Sequence, residues 1–199
     1  MSAAFPWQDQ TAQQLVRYEA LFRLFDGIQS MDDFDQLVAL VATQWKYFAN
    51  VSSWRLVVAH DGGYRVIDSF RGEAKWIDTK ALSPWDDMIW TLQRPQLVRP
   101  NEPLPPPLPP DHLTGKAVSE VMVLPVMRRG GCIGMLSAAA RGEPFSELDY
   151  KFNRIFAGQF ADRVLDIVQR RAATQSLIER ATHDALTGLL NRGAIQDRL

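Results

Sequence analysis

Glu120-Val-Met-Val-Leu-Pro-Val-Met127 and Cys132-Ile-Gly-Met-Leu-Ser-Ala-Ala-Ala140 are two apolar stretches separated by Arg128-Arg-Gly-Gly131. Apolar runs of this length, bounded by a glycine-containing turn, are typical of buried strands, so they predict an antiparallel hairpin. Because proline cannot donate a hydrogen bond to a sheet, Pro125 predicts that the first strand lies at an edge or is bulged there. The predicted fold is therefore built around a sheet.

An earlier hairpin is predicted from residue 51 to residue 70. Residues 51–60 alternate with period two and place Trp54, Leu56 and Val58 on one side of a strand. Asp61-Gly62-Gly63 follows, which favours a tight turn because glycine adopts positive φ without steric cost. Tyr64–Phe70 then supplies the returning strand.

Two amphipathic helices are predicted before this hairpin. The first covers Thr11–Gln29, and Ser30-x-x-Asp33 has the pattern of a capping box that starts the second. In both segments apolar residues recur at the spacing of one helical face. These residues are Leu15, Tyr18, Leu21, Leu24, Phe25 and Ile28 in the first helix, and Phe34, Leu37, Val38, Val41, Trp45 and Phe48 in the second.

Serine caps predict two further helices. Ser83 precedes Pro84, a residue favoured at the first helical position, and a short apolar stripe follows. Ser146 starts a helix predicted over residues 147–183, which is roughly 55 Å long at 1.5 Å per residue. Between these helices, residues 94–110 contain eight prolines. That segment is either a stiff surface loop or a PxxP ligand for a protein partner.

Composition excludes several classes of function. The 22 basic and 23 acidic residues balance, which gives no basic footprint for nucleic acid and no polybasic membrane signal. No apolar run approaches the roughly 20 residues that span a bilayer, and the N-terminus lacks the features of a secretory signal. The single cysteine, Cys132, cannot form an internal disulfide, and His60, His112 and His183 have no metal-ligand spacing. We therefore expect a cytoplasmic protein without a metal site.

The order of predicted elements resembles that of a GAF domain, a sensory fold. Specific phrases strengthen the resemblance: Met88–Val98 is similar to the family's helix, turn and short strand, and Val121–Val126 with Gly131–Ser137 to its late hairpin. Pro144-Phe145-Ser146-x-x-Asp149 is similar to the start of its last helix. The resemblance implies an α+β domain over residues 11–170, with a central antiparallel sheet, flanking helices and a long C-terminal signalling helix. Residues 1–10 are expected to be disordered.

The end of the chain resembles the opening motif of GGDEF domains, which are diguanylate cyclases. The matching residues are Asp184, Leu186, Thr187, Gly188, Leu189, Asn191 and Arg192, and Leu190 departs from the proline often found there. The resemblance implies a signalling-helix linker over 171–183 and the truncated start of a GGDEF domain over 184–199. It also implies a sensory domain that controls the synthesis of c-di-GMP from GTP, with Mg²⁺. Because no Gly-Gly-(Asp/Glu)-Glu-Phe segment is present, we expect that this chain is not itself catalytic and holds no cofactor.

Two sets of candidate functional residues follow from the GAF resemblance and the helical spacing. An aromatic pocket for a small molecule, with ordinary core packing as the alternative, would be formed by Trp54, Phe70, Arg71, Trp76, Trp85 and Trp90. A coiled-coil seam joining two copies in a parallel dimer would be formed by Phe160, Val164, Ile167, Arg171, Thr174 and Ile178. Two alternatives to sensing remain open, a ligand-free dimerisation module and a protein-interaction domain.

Overall fold

An antiparallel sheet forms the centre of the computed structural model, which describes residues 6–60, 62–100, 102–103, 106–115, 117–128, 131–182 and 189. Among these residues the sheet has six strands in the order β3-β2-β1-β6-β5-β4. Their bounds are β1 Ser53–His60, β2 Gly63–Phe70, β3 Glu73–Thr79, β4 Gln96–Val98, β5 Val118–Arg128 and β6 Gly131–Arg141. The predicted α+β architecture with a central antiparallel sheet is confirmed.

Helices cover both faces of the sheet. Their bounds are α1 Pro6–Ser30, α2 Phe34–Gln44, α3 Pro84–Leu92 and α4 Glu147–Thr182, with 3₁₀ turns at Trp45–Tyr47 and Asp111–Leu113. Helices α1, α2 and α4 pack on one face, called here the three-helix face. Helix α3 and the second 3₁₀ turn pack on the other, called here the α3 face.

Both predicted hairpins are present. In the first, His60 pairs with Gly63, and Gly62 has a φ of 70° in the turn between them. In the second, β4 pairs only with Val121–Val123, so β5 is an edge at Pro125. The β5–β6 register also shifts between Val126 and Met127. Pro125 therefore lies where no neighbouring strand requires its missing amide hydrogen.

The core of the three-helix face is aromatic. The predicted stripe of α2 is confirmed, because Phe34, Leu37, Val38 and Val41 are all buried. Trp45 and Phe48 continue the stripe just beyond the helix, and the Trp45 ring lies 4.4 Å from that of Phe156. The indole nitrogen of Trp45 donates a 2.8 Å hydrogen bond to Asn153 Oδ1, so its one polar atom is satisfied.

The ends of α1 and α2 differ from the prediction. Helix α1 begins at Pro6, inside the range 1–10 that was predicted to be disordered, because proline is tolerated in the first turn of a helix. Asp33, not Ser30, caps α2: its carboxylate accepts the Gln36 amide at 2.9 Å. Ser30 instead ends α1 and donates to the carbonyl of Gly27.

Strand β3 was not predicted. Arg71 and Gly72 have φ values of 56° and 83° and turn the chain back after β2, and Glu73 then starts a strand that pairs with β2 along its whole length. Its edge position leaves residues 73, 75, 77 and 78 exposed, whereas Ala74 and Trp76 pack against the core of the three-helix face. Trp76, one of the predicted pocket residues, therefore lies in an edge strand.

Candidate functional site

A buried ion network lies under α3. Arg55 of β1 faces Asp68 of β2 and Ser137 of β6 in the sheet register. Its guanidinium donates to Asp86 at 3.1 and 2.7 Å and to both oxygens of Asp68 at 2.8 Å. Asp86 belongs to the first turn of α3 and is completely buried, whereas the Asp68 side chain is 39% exposed. One guanidinium therefore joins two strands to the helix that covers them.

Local sequence places Asp86 in this network. Ser83 caps α3 as predicted: its hydroxyl accepts the Asp86 amide at 3.2 Å and donates to the Asp86 carboxylate at 2.7 Å. Burial by itself would lower the pKa of Arg55, but hydrogen bonds to Asp86 and the charges of Asp86 and Asp68 raise it. Burial by itself would raise the pKa of Asp68, but the adjacent His112 and Arg55 lower it. Arg55 and Asp68 are thus held charged.

Three buried polar atoms on the α3 face have no hydrogen-bond partner among the described residues: Trp85 Nε1, His112 Nε2 and Ser137 Oγ. His112 Nε2 lies 3.2 Å from Asp68 Oδ1, an electrostatic contact without hydrogen-bond geometry. Trp85, Ile89 and Leu113 fill the apolar part of this face. The polar atoms could bind buried water or the polar groups of a ligand, but side chains already occupy most of the space.

The six predicted pocket residues do not line one cavity. Trp54 and Trp76 lie on the three-helix face, whereas Trp85 and Trp90 lie on the α3 face. The reason is that Trp54 and Trp76 point from β1 and β3 to one side of the sheet, whereas Trp85 and Trp90 belong to α3, which covers the other side. Phe70, 40% exposed, lies at the end of β2, and the Arg71 guanidinium stands 4.9 Å from its ring. The prediction of a single aromatic pocket is therefore wrong.

The predicted dimer seam is also corrected. Phe160, Val164 and Ile167 are at most 2% exposed because they pack against the chain's own sheet and helices. Arg171 forms an ion pair with Asp33 at 3.0 Å. The last two predicted seam residues, Thr174 and Ile178, lie beyond the core and are exposed. Apolar residues at this spacing occur in internal cores as well as in coiled coils. Here Phe160, Val164 and Ile167 belong to the core of the chain itself.

The predicted signalling turn lies outside the described residues. This applies to Asp184, Leu186, Thr187, Gly188, Asn191 and Arg192. Its role stays a prediction, as does the role of the proline-rich segment in binding a partner.

Sequence reasoning missed Arg55, Asp68 and Asp86. The available signal was a charged residue on each strand whose neighbours on the same side are apolar: Arg55 beside Val57, and Asp68 beside Val66. Charged residues are seldom fully buried unless they are paired, so two such positions in adjacent strands suggest an ion pair.

The described residues contain no group of three or more His, Cys, Asp or Glu side chains that could hold a metal ion. None of the helices within the described part of the chain is long and apolar enough to cross a membrane. Burial raises the pKa of the half-buried Cys132 thiol, which donates to the carbonyl of Gly134. A raised pKa disfavours the reactive thiolate.

No protein-family model and no curated protein sequence matches this chain. Solved structures do match its fold. The GAF domain of a phosphoenolpyruvate-protein phosphotransferase from Coxiella burnetii is 15% identical, covers 80% of this chain and 98% of its own, and has a TM-score of 0.59. The GAF domain of a putative sensor histidine kinase from Pseudomonas syringae pv. tomato is 14% identical, covers 87% and 98%, and has a TM-score of 0.51.

An enzyme has a similar fold. Free methionine-R-sulfoxide reductase from Neisseria meningitidis is 15% identical, covers 86% of this chain and 96% of its own, and has a TM-score of 0.53. Identities this low establish the fold alone. The six-stranded antiparallel sheet, the helices on both of its faces and the long C-terminal helix give this chain the GAF-like α+β fold.

Proposed function

We propose that this chain is the sensory module of a cytoplasmic bacterial signalling protein and that it controls a diguanylate cyclase domain through α4. The chain itself would bind the signal, and the cyclase domain would use GTP and Mg²⁺. Three features support this proposal: the GAF-like fold, the length of α4, and the resemblance of residues 184–192 to the start of a GGDEF domain.

The continuity of α4 is the observation that carries the proposal. Val168 is the last α4 residue buried in the core, yet the helix continues without a break to Thr182. The projecting part is roughly 20 Å long at 1.5 Å per residue. This helix leaves the core and continues towards the GGDEF-like segment. A shift in the position of α4 on the sensory domain would therefore also move the domain that follows it.

Arginines on α4 connect this projection to the corner between α1 and α2. Arg163, whose side chain is 12% exposed, donates to the carbonyls of Ile28 and Met31 and to Asp32. About two turns later, Arg171 pairs with Asp33. These contacts satisfy carbonyls at the end of α1 and fix the position of α4 at the level where it leaves the core.

A second copy of the chain is the proposed partner, through a surface other than the predicted seam. Leu15 and Phe22 lie seven residues apart on one face of α1 and are 60% and 63% exposed. Their neighbours Tyr18 and Phe25 contact Phe152 and Phe156 of α4, which places this exposed face beside α4. Ile155, 52% exposed, extends the apolar surface onto α4. Apolar surface shared by two parallel helices favours association with a second, parallel pair.

A ligand-free dimerisation module is the second candidate, and the packing of the α3 face favours it. Trp85, Ile89 and Leu113 fill the space between α3 and the sheet. A small molecule there would have to displace them. Signal binding on that face therefore has less support than the control of an output domain by α4.

An insertion experiment tests the proposed function. Residues 1–199 are fused in frame to the remainder of a GGDEF domain, and two or seven residues are inserted between Ala172 and Ala173. At 3.6 residues per turn, two residues rotate the output by about 200°, whereas seven restore the phase to within about 20°. We expect c-di-GMP synthesis to change at least several-fold with the first insertion and to return towards the parent rate with the second.

Two controls complete the experiment. A fusion that lacks residues 1–150 should lose regulation and dimerisation, and a variant with an inactive catalytic motif should make no product. Equal synthesis by the parent, both insertions and the deletion would contradict the proposed function.

A further inference from the structure

The sheet is split at one end, between β1 and β6. Their pairing stops at Val58 and Gly134, but β1 continues for two residues, through Ala59 to His60. Gly134 marks the point of separation: a Cβ there would lie 2.9 Å from the Val57 carbonyl oxygen. Beyond that close approach, the β1–β6 pairing does not continue among the described residues.

A groove of about 510 Å³ occupies this split end, a size typical of small-molecule sites. Its lining comes from both faces of the sheet. Trp90 of α3 and Tyr64 of β2 contribute an edge-to-face aromatic pair with ring centroids 5.1 Å apart. Leu165 and Gln169 of α4 line it as well. The groove is therefore a place where one ligand would contact both α3 and the signalling helix.

The charge at the rim indicates the class of ligand. Lys80 lines the groove, is exposed, and forms no ion pair with any described residue. The nearest carboxylate along β3, Asp78, is already engaged by Arg65 at 2.7 and 2.8 Å. Half-buried aromatic rings, an apolar Leu165 side chain and one unpaired ammonium group suit a flat aromatic molecule with a single negative charge.

We propose that this groove binds an aromatic carboxylate, with its ring against Trp90 and Tyr64 and its carboxylate towards Lys80. The inference rests on the proposed sensory function, because it supplies the signal that function requires. Leu165 and Gln169 lie on either side of Val168, the last buried residue of α4. Ligand in the groove would therefore bear directly on the helix where it leaves the core, and a difference in affinity between two α4 positions would shift their populations.

The test uses residues 1–199 and two probes, 2-naphthoate and the neutral 2-naphthamide, titrated by calorimetry and by ligand-observed NMR. We expect 2-naphthoate to bind with a Kd of about 1 mM or tighter, and 2-naphthamide to bind at least about twofold more weakly. Trp90→Ala should weaken 2-naphthoate binding about tenfold, and Trp90→Phe should weaken it less. Lys80→Gln should cost about two- to fivefold, while Lys75→Gln, in β3 and away from the groove, should have no effect.

A blocking variant keeps the test decisive if Trp90→Ala unfolds. Gln169 is exposed on α4, so Gln169→Trp should fold normally, as circular dichroism would show, and should fill the groove. Absence of 2-naphthoate binding, or binding unchanged in Gln169→Trp, overturns the proposal. Equal affinity for 2-naphthamide overturns the assignment of a negative charge. Neither result affects the insertion experiment, because that experiment needs no ligand. Failure of the ligand proposal can therefore be distinguished from failure of the proposed function.

Discussion

Arg55 and Asp86 form a bidentate ion pair between the sheet and α3, with the Asp86 carboxylate completely buried. Among the described residues, this ion pair is the one that joins β1 to α3. Removing Asp86 would leave the Arg55 charge paired only with the partly exposed Asp68, which is more costly than the loss of an exposed pair.

Asp86→Asn should therefore destabilise the fold strongly. We expect the free energy of unfolding in urea to fall by about 2–3 kcal/mol, because the buried charged hydrogen bonds to Arg55 are lost and only Asp68 still pairs with it. Asp87→Asn is the matched control, since Asp87 is the next residue of α3 and is exposed. A loss of less than about 1 kcal/mol in Asp86→Asn would show that water reaches Arg55 and replaces the pair.

Acid should weaken the contact between α4 and the rest of the domain at Asp149. Burial alone would raise the pKa of this carboxyl, but hydrogen bonds from Ser146 and Asn50 and the charge of Arg17 lower it below 3.8. A lowered folded-state pKa means that the stabilisation is complete above the unfolded pKa and disappears as the pH falls through the folded one.

The comparison of wild type with Asp149→Asn measures this stabilisation. Wild type should be more stable at pH 7, and the difference should shrink from about pH 4 downwards in urea unfolding followed by tryptophan fluorescence. Asp87→Asn again serves as the control, because it removes one carboxylate at an exposed position. A difference for Asp149→Asn that stays constant down to pH 2.5 would be inconsistent with the lowered pKa.

Two glycines should respond to alanine in opposite directions. A Cβ at Gly134 would lie 2.9 Å from the Val57 carbonyl oxygen and 3.1 Å from a Val58 methyl group, so Gly134→Ala should destabilise by about 1–3 kcal/mol. At Gly158 in α4 the same atom meets nothing within 4 Å. Gly158→Ala should therefore stabilise by about 0.5–1 kcal/mol through helix propensity. Thermal unfolding of both variants measures the two changes in stability. Changes of the same sign would contradict the packing at one of the two positions.

Phe22→Glu should prevent self-association if α1 contributes the dimer surface. Burial of a charge in an apolar helix–helix contact is strongly unfavourable, so we expect the variant to elute as a monomer with light-scattering detection. Ile77→Glu is the control, because Ile77 is 62% exposed but lies on the edge strand β3, away from α1. A dimer that survives Phe22→Glu, or a wild type that is monomeric at high concentration, would exclude this surface.

Much of the fold followed from local patterns. The apolar stripe Phe34–Val41, the Ser83 cap of α3 and the turn at Gly62 were predicted because each depends on residues within one or two turns of chain. Strand β3 was missed because the alternation of Glu73-Ala-Lys-Trp76 is short and is broken by Ile77 and Asp78, which are both exposed at the edge of the sheet. The Asp33 cap was missed because Ser30 and Asp33 both suit a helix start, and only the geometry of the corner distinguishes them.

The candidate sites were harder to predict, because they depend on which residues meet across the sheet. Trp54 and Trp85 are equally aromatic in sequence, yet they lie on opposite faces. Arg55 and Asp86 are 31 residues apart, and no local period relates them. The groove at Trp90 exists only because β6 leaves β1 after Gly134, a separation between strands about 75 residues apart in the chain.

The sequence by itself determined most of the elements, the sheet-centred class and the long last helix, since periodicity, caps and turns act over a few residues. Only the tertiary structure decided how the stripe of α4 is used. Phe160, Val164 and Ile167 have the spacing of a seam for a second copy, but the chain's own sheet and α1 bury them first. The physical reason is that a hydrophobic stripe specifies burial and not the partner that provides it, because apolar contact is non-directional.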